Sequence, residues 1–264
     1  MGIALDIAED WHASLAALAW QVDLGVTEVI GDAPLNRYDL PESAKPLPRV
    51  TAVAAVSVQA AVPVANPVVL AEAAAQGSGS LAALRAALEA FDHCELKKGA
   101  RNLVFGDGNP NARVMIISEA PSVEEDREGR SCVGAAGGLL DKMFGAIGLS
   151  RGNADPALAV YITHALPWRT PQDRVPHPDE IAMMRPFLAR HIALVDPGVI
   201  VVIGNAPLQA VLNTTGILRA RGQWGQAFGK PVLPMVHPSH LLRMPAAKAE
   251  AWADLLALQA KLRG

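Results

Sequence analysis

Residues 113–149, RVMIISEAPSVEEDREGRSCVGAAGGLLDKMFGAIGL, decide the fold. A short apolar run, Arg113–Ser118, passes through a polar segment into an apolar stretch at helical spacing, Gly137–Leu149. The first has the length and β-branched content of a buried strand, the second the periodicity of a helix. The alternation recurs downstream. Runs at Ala159–His164 (AVYITH), Val199–Gly204 (VIVVIG) and Val232–His237 (VLPMVH) are interleaved with PDEIAMMRPFLARHIALV and APLQAVLNT, which read as helices. Strands alternating with helices predict an α/β fold: a three-layer α/β/α sandwich with a central, mainly parallel four-stranded sheet.

Sheets of this kind bind ligands outside the carboxyl ends of their strands. That rule collects Glu119, His164, Gly204–Asn205 and His237–Pro238 on one edge. Any one of them could be an ordinary polar strand end. A carboxylate and two imidazoles converging there predict an active site.

Upstream, residues 8–22 show helical spacing, and residues 46–79 are dominated by Ala, Val and Pro with few large side chains. Ser80 then caps a predicted helix. The expected division is an N-terminal helical extension over 1–45, an extended linker over 46–79 and one domain over 80–264.

Composition narrows the class. The chain has 264 residues, is 51% hydrophobic, and has two cysteines, Cys94 and Cys132, too few for a disulfide framework or a closed zinc site. No apolar run reaches the roughly 20 residues that span a bilayer, so no membrane partner is expected. Acids sit in the first ten residues where a signal peptide needs positive charge, which predicts a cytoplasmic protein. Residues 1–88 carry four Lys and Arg against nine Asp and Glu, and residues 89–264 nineteen against seventeen. Phosphate contacts would have to be local rather than the work of a general positive field.

Three segments carry a resemblance. They are SEAPSVEEDREGRSCVGAAGGLLDKMFGAIGLSR (118–151), YITHALPWRTPQDRVPHPDEI (161–181) and HPSHLLRMPAAKAEAW (237–252). In this order they resemble the motifs of family 4 of the uracil-DNA glycosylase superfamily, over residues 91–264. The resemblance implies hydrolysis of the N-glycosidic bond of a base flipped out of DNA. It gives Glu119 the task of orienting water and stabilising the sugar cation, and His237 that of donating a hydrogen bond to the departing base. It places the base pocket at Ser118, Ala120, Pro121, Ser122, Cys132 and His164. DNA contacts are implied at Arg169, Arg174, Ser239, Leu241 and Arg243, with Leu241 or Leu242 wedging into the duplex and the other packing inward.

The sequence departs from that pattern in the pocket. His164 replaces an Asn that reads the base edge, and one imidazole edge cannot form the carboxamide's donor–acceptor fork. Cys132 replaces a stacking Phe, a contact worth roughly 1–3 kcal/mol. Ser118 and Ser122 replace glycines. Most members hold an iron–sulfur cluster through four cysteines; the aligned positions here are Phe91, Cys94, Trp168 and Met184, so neither cluster nor metal is expected. His177 reads as a surface residue at a helix start.

The expected function is a divergent, monomeric DNA glycosylase with altered base specificity. A silent homologue that binds DNA or nucleotide without excision, and a hydrolase of free nucleosides, remain as alternatives.

Overall fold

The computed structural model describes residues 15, 16 and 18–21, which are helical, and residues 66–264. The chain divides into two compact units, Met1–Ala61 and Val62–Gly264. The second holds everything that follows; most of the expected N-terminal extension and the linker over 46–65 lie outside the described residues.

In chain order the strands are β1 (Asp107–Gly108), β2 (Val114–Ser118), β3 (Val160–His164), β4 (Val199–Ile203), β5 (Gly225–Ala227) and β6 (Lys230–Met235). They form one sheet in the order β1-β3-β2-β4-β6-β5. The four expected strands are its parallel centre, with Val114 opposite Val160, Ser118 opposite His164 and Ile203 opposite Met235. Two short strands the sequence reading did not anticipate close the edges, β1 antiparallel to β3 and β5 antiparallel to β6.

Side-chain alternation divides each central strand between two cores. Met115, Ile117, Tyr161, Ile200 and Val202 face one layer, built from α1 (Pro67–Gln76), α2 (Leu81–Ala90), α6 (Pro178–Val195) and α7 (Asn205–Leu212). Val114, Ile116, Ile162, Val201 and Leu233 face the other, where Leu140 and Phe144 of α5 (Gly134–Gly145) meet Leu255 and Leu258 of α10 (Lys248–Arg263). The sheet is therefore covered on both faces, which is why its strands read as unbroken apolar runs. Each fully buried aliphatic side chain contributes about 1.5–3 kcal/mol. Three short helices complete the frame: α3 (Glu95–Gly99), α4 (Val123–Glu128) and α9 (Pro238–Arg243), with the four-residue α8 (Ile217–Ala220) before β5.

The linker expected over 46–79 is corrected at its far end. Residues 67–76 are a helix, α1, not an extended tether. Asn66 caps it by accepting from the Val68 amide, and Pro67 occupies the first turn, where its missing N–H is no loss. Ala71 and Ala75 are buried in the core that α6 helps to build. Alanine is the strongest helix former, and its small methyl lets two helices approach closely; a stretch without large side chains was thus packing surface. Ser80 caps α2 as expected, accepting from the Ala83 amide at 3.2 Å.

His177 begins α6 as its cap, in a reciprocal capping box with Glu180, and is exposed. Among the described residues no helix is long and apolar enough to cross a membrane.

Candidate active site

A cavity of about 500 Å³ opens at the carboxyl ends of the parallel strands. Glu119 enters it directly after β2, and His237 two residues after β6. Ala120, Pro121, Ser122 and Cys132 line it as well.

Glu119 is fixed from an adjacent element. Its Oε1 accepts the Asn205 amide, the first N–H of α7, at 2.9 Å. Gly204, just before, adopts φ +110°, and a Cβ there would lie 2.4–2.5 Å from Glu119 side-chain atoms. The turn from β4 into α7 therefore needs glycine on two counts. A carboxylate held by one oxygen leaves the other for a ligand or a water.

His237 caps α9 and is fixed at both nitrogens. Its Nδ1 accepts the Ser239 amide at 3.2 Å and lies 2.7 Å from the Ser239 hydroxyl. A nitrogen accepting an amide N–H carries no proton, so the neutral ring bears its proton on Nε2. Burial lowers the His237 pKa, opposed by the charges of Glu119 and Glu125, so the neutral form is favoured. Nε2 lies 3.2 Å from Ser118 Oγ. His237 is thus a neutral N–H donor at the cleft's edge, its proton directed at the Ser118 hydroxyl.

Ser118 and His164, expected in the pocket wall, are placed beneath it. Both are strand-terminal neighbours in register and both are buried. His164 Nδ1 donates to the Glu119 carbonyl at 2.8 Å, since a carbonyl can only accept. Its Nε2 makes no hydrogen bond and lies 3.5 Å from Glu125 Oε1. The imidazole is longer than the carboxamide the resemblance places there, and it reaches past the wall toward a buried carboxylate.

That carboxylate is the residue sequence reasoning missed. Glu125 accepts from the Ser122 amide at 2.7 Å and the Cys132 amide at 2.5 Å, and so joins both sides of the cavity. Burial alone would raise its pKa, but His164 beside it and the donors from Ser122 and Cys132 outweigh burial, and the net direction is down. The signal was present as Ser122-x-x-Glu125, a capping-box spacing. It stood inside an acidic run that reads as a solvated helix start.

Cys132 takes the left-handed conformation, φ 51°, rare for a residue with a side chain. Three neighbours hold it. Glu125 takes its amide, Arg151 donates to its carbonyl at 3.0 Å and to that of Ser131 at 2.8 Å, and Gly137 makes room, since a Cβ there would lie 1.8 Å from the Cys132 carbonyl oxygen. Arg151 also pairs with Asp107 at 2.9 Å and Asp141 at 2.8 Å. Burial raises the Cys132 thiol to about 12, so it stays protonated.

Of the residues expected on DNA, Arg174 and Ser239 line the cavity. Arg243 is exposed and in no ion pair among the described residues, and Ser239 is committed to His237. Arg169 pairs with Asp173 at 2.8 Å, and Arg174 with Glu180 at 2.9 and 2.5 Å. Leu241 is corrected as a wedge: it is 1% exposed and packs with Val236 and Ala251. Leu242, at 44% exposure on the cavity rim, is the leucine free to reach outward.

The positions aligned with cluster ligands lie in one core. Phe91, Cys94, Trp168 and Met184 are all buried, with Phe91 edge-on to Phe187 at 5.2 Å. One thiol, two aromatic rings and a thioether are not a donor set for an iron–sulfur cluster. Burial raises the Cys94 thiol further from the thiolate that ligation needs.

Residues 105–256 match the uracil DNA glycosylase superfamily. The chain is 35% identical over 172 residues to the type-4 uracil-DNA glycosylase of Archaeoglobus fulgidus, a span of 61% of this chain and 82% of that one. It is 36% identical over 155 residues to the type-4 uracil-DNA glycosylase of Thermotoga maritima, spanning 57% and 77%. To the type-5 uracil-DNA glycosylase of Pyrobaculum aerophilum it is 32% identical over 146 residues, spanning 51% and 64%. The chain belongs to the uracil DNA glycosylase superfamily.

Proposed function

We propose that this domain is a DNA glycosylase that hydrolyses the N-glycosidic bond of a base flipped from DNA, with a base preference different from that of its uracil-excising relatives. The observation that carries the reading is the pairing of Glu119 with a neutral His237 on one cavity, each held by a backbone amide. The free carboxylate oxygen of Glu119 orients a water whose oxygen bonds to the sugar C1′. The proton this water sheds passes to the carboxylate and from there through solvent to the departed base. The glycosidic electron pair leaves with the base, and the His237 Nε2–H supports the charge that builds on the base's carbonyl oxygen.

Altered preference rests on the wall. No Phe, Tyr or Trp is among the described residues that line the cavity, and His164 faces Glu125 rather than the opening. The space suits a base larger than uracil as well as uracil itself. The domain on this reading works without an iron–sulfur cluster.

Excision from duplexes holding a single uracil, hypoxanthine or xanthine tests the proposal. Cleavage of at least one, abolished by Glu119→Ala, is the expected result; no cleavage above that control on any duplex ends it. The double substitution His164→Asn with Cys132→Phe is expected to raise uracil excision. A second reading, DNA binding without excision, is favoured by the occupied Nε2 of His237. Retention of abasic or uracil-containing duplex in a gel shift without turnover would mark it.

A further inference from the structure

Ser118 ends β2 at 2% exposure, beneath the cavity rather than in its wall. Its hydroxyl lies 3.2 Å from His237 Nε2. The far nitrogen of His237 is already committed, because Nδ1 accepts from Ser239. The single N–H of the neutral ring therefore points at a hydroxyl that belongs to the protein. In the family that this sequence resembles the position is glycine, which offers no acceptor.

We infer that Ser118 is a specificity-determining residue that holds the His237 Nε2–H donor until a bound base displaces it. The inference rests on the glycosylase reading. A departing base must offer His237 a better acceptor than the Ser118 oxygen before the ring assists it. Bases that build charge on a carbonyl oxygen near His237 meet that condition, and bases with no acceptor there do not. The His237 Nε2–H therefore has an acceptor in the Ser118 hydroxyl when no substrate is bound. Exchanging one neutral hydrogen bond for another corresponds to a rate effect of about two- to tenfold.

The test uses the full chain with Ser118→Gly, Ser118→Ala and Ser118→Thr. Alanine removes only the hydroxyl, so it serves if glycine loosens the strand end, and threonine keeps the hydroxyl. Two measurements are paired: single-turnover excision of the best base from the duplex panel, and ¹H–¹⁵N resonances of the His237 ring, assigned by its loss in His237→Gln. Expected are a rise in excision of about two- to tenfold with Ser118→Ala and Ser118→Gly, and no rise with Ser118→Thr, which keeps the hydroxyl. The Nε2–H resonance should be protected from exchange in the parent and in Ser118→Thr, and exchange-broadened in Ser118→Ala. If the parent excises and Ser118→Ala is no faster, or if the His237 resonances are unchanged, the inference is overturned and the glycosylase reading stands. If no protein excises any base, the glycosylase reading falls and takes the inference with it.

Discussion

The Asn205 amide donates to Glu119 Oε1 at 2.9 Å, so the carboxylate that follows β2 is held by the first N–H of the helix that follows β4. Placement of Glu119 depends on the turn before Asn205. Gly204→Ala would put a methyl 2.4–2.5 Å from the Glu119 side chain in a backbone conformation reserved for glycine. Single-turnover excision is expected to fall about 100-fold, the loss that about 2.7 kcal/mol of misplacement entails. Circular dichroism should show the fold retained.

Arg151 is expected to be a stability residue. Its side chain is 14% exposed, and removing it leaves Asp107 with Arg130 alone and orphans the Ser131 and Cys132 carbonyls beside the positive φ of Cys132. Arg151→Ala should lower unfolding free energy in urea by about 2–4 kcal/mol. Arg151→Lys keeps the charge without the planar fork and should recover only part of the loss.

The adjacent leucines of α9 should separate cleanly. Leu241→Ala removes a 1% exposed side chain and is expected to destabilise by about 2–5 kcal/mol. Leu242→Ala should leave the melting temperature unchanged and weaken excision from duplex more than from single-stranded substrate, because only a duplex leaves a gap to fill. Equal losses on both substrates would remove Leu242 from the wedge role.

Acid stability should report on His191. Burial holds this ring at about 3, against an ordinary value of 6.5, while Tyr161 hydrogen-bonds it at 3.0 Å and Phe105 stacks on it. The unfolded chain takes up the proton first as pH falls. Stability is therefore whole above about pH 6.5 and lost progressively as pH drops toward the folded value, by about 1.4 kcal/mol per unit. Urea titrations at about pH 7 and pH 5 should differ by roughly 2 kcal/mol from this source, and His191→Gln, which can still meet Tyr161, should flatten the difference.

Much of this was legible in the chain, for reasons that differ by residue. β2, β3, β4 and β6 announced themselves because both their faces are buried. β1 and β5, of two and three residues, are too short for any periodicity to register. α1 was hidden by its composition, although Asn66-Pro67 spells a cap and a first turn. In the site, strand ends located Glu119 and His237. Sequence could not say that Ser118 and His164 lie one layer down, because depth at a strand end is set by what packs beyond it. Glu125 depends on contacts with Ser122, Cys132 and His164 that only the fold assembles.

The packing of α1 against α6 has a practical side. The family match begins at residue 105, yet the hydrophobic core recruits Ala71 and Ala75 more than two dozen positions upstream. α6 is thus a party wall, with its cap near the cleft and its back roofed by alanines. Where this domain is cut out for crystallisation, fusion or grafting, the scissors belong ahead of Asn66. A boundary drawn at the first recognisable motif would strip the roof and leave a greasy face to the solvent.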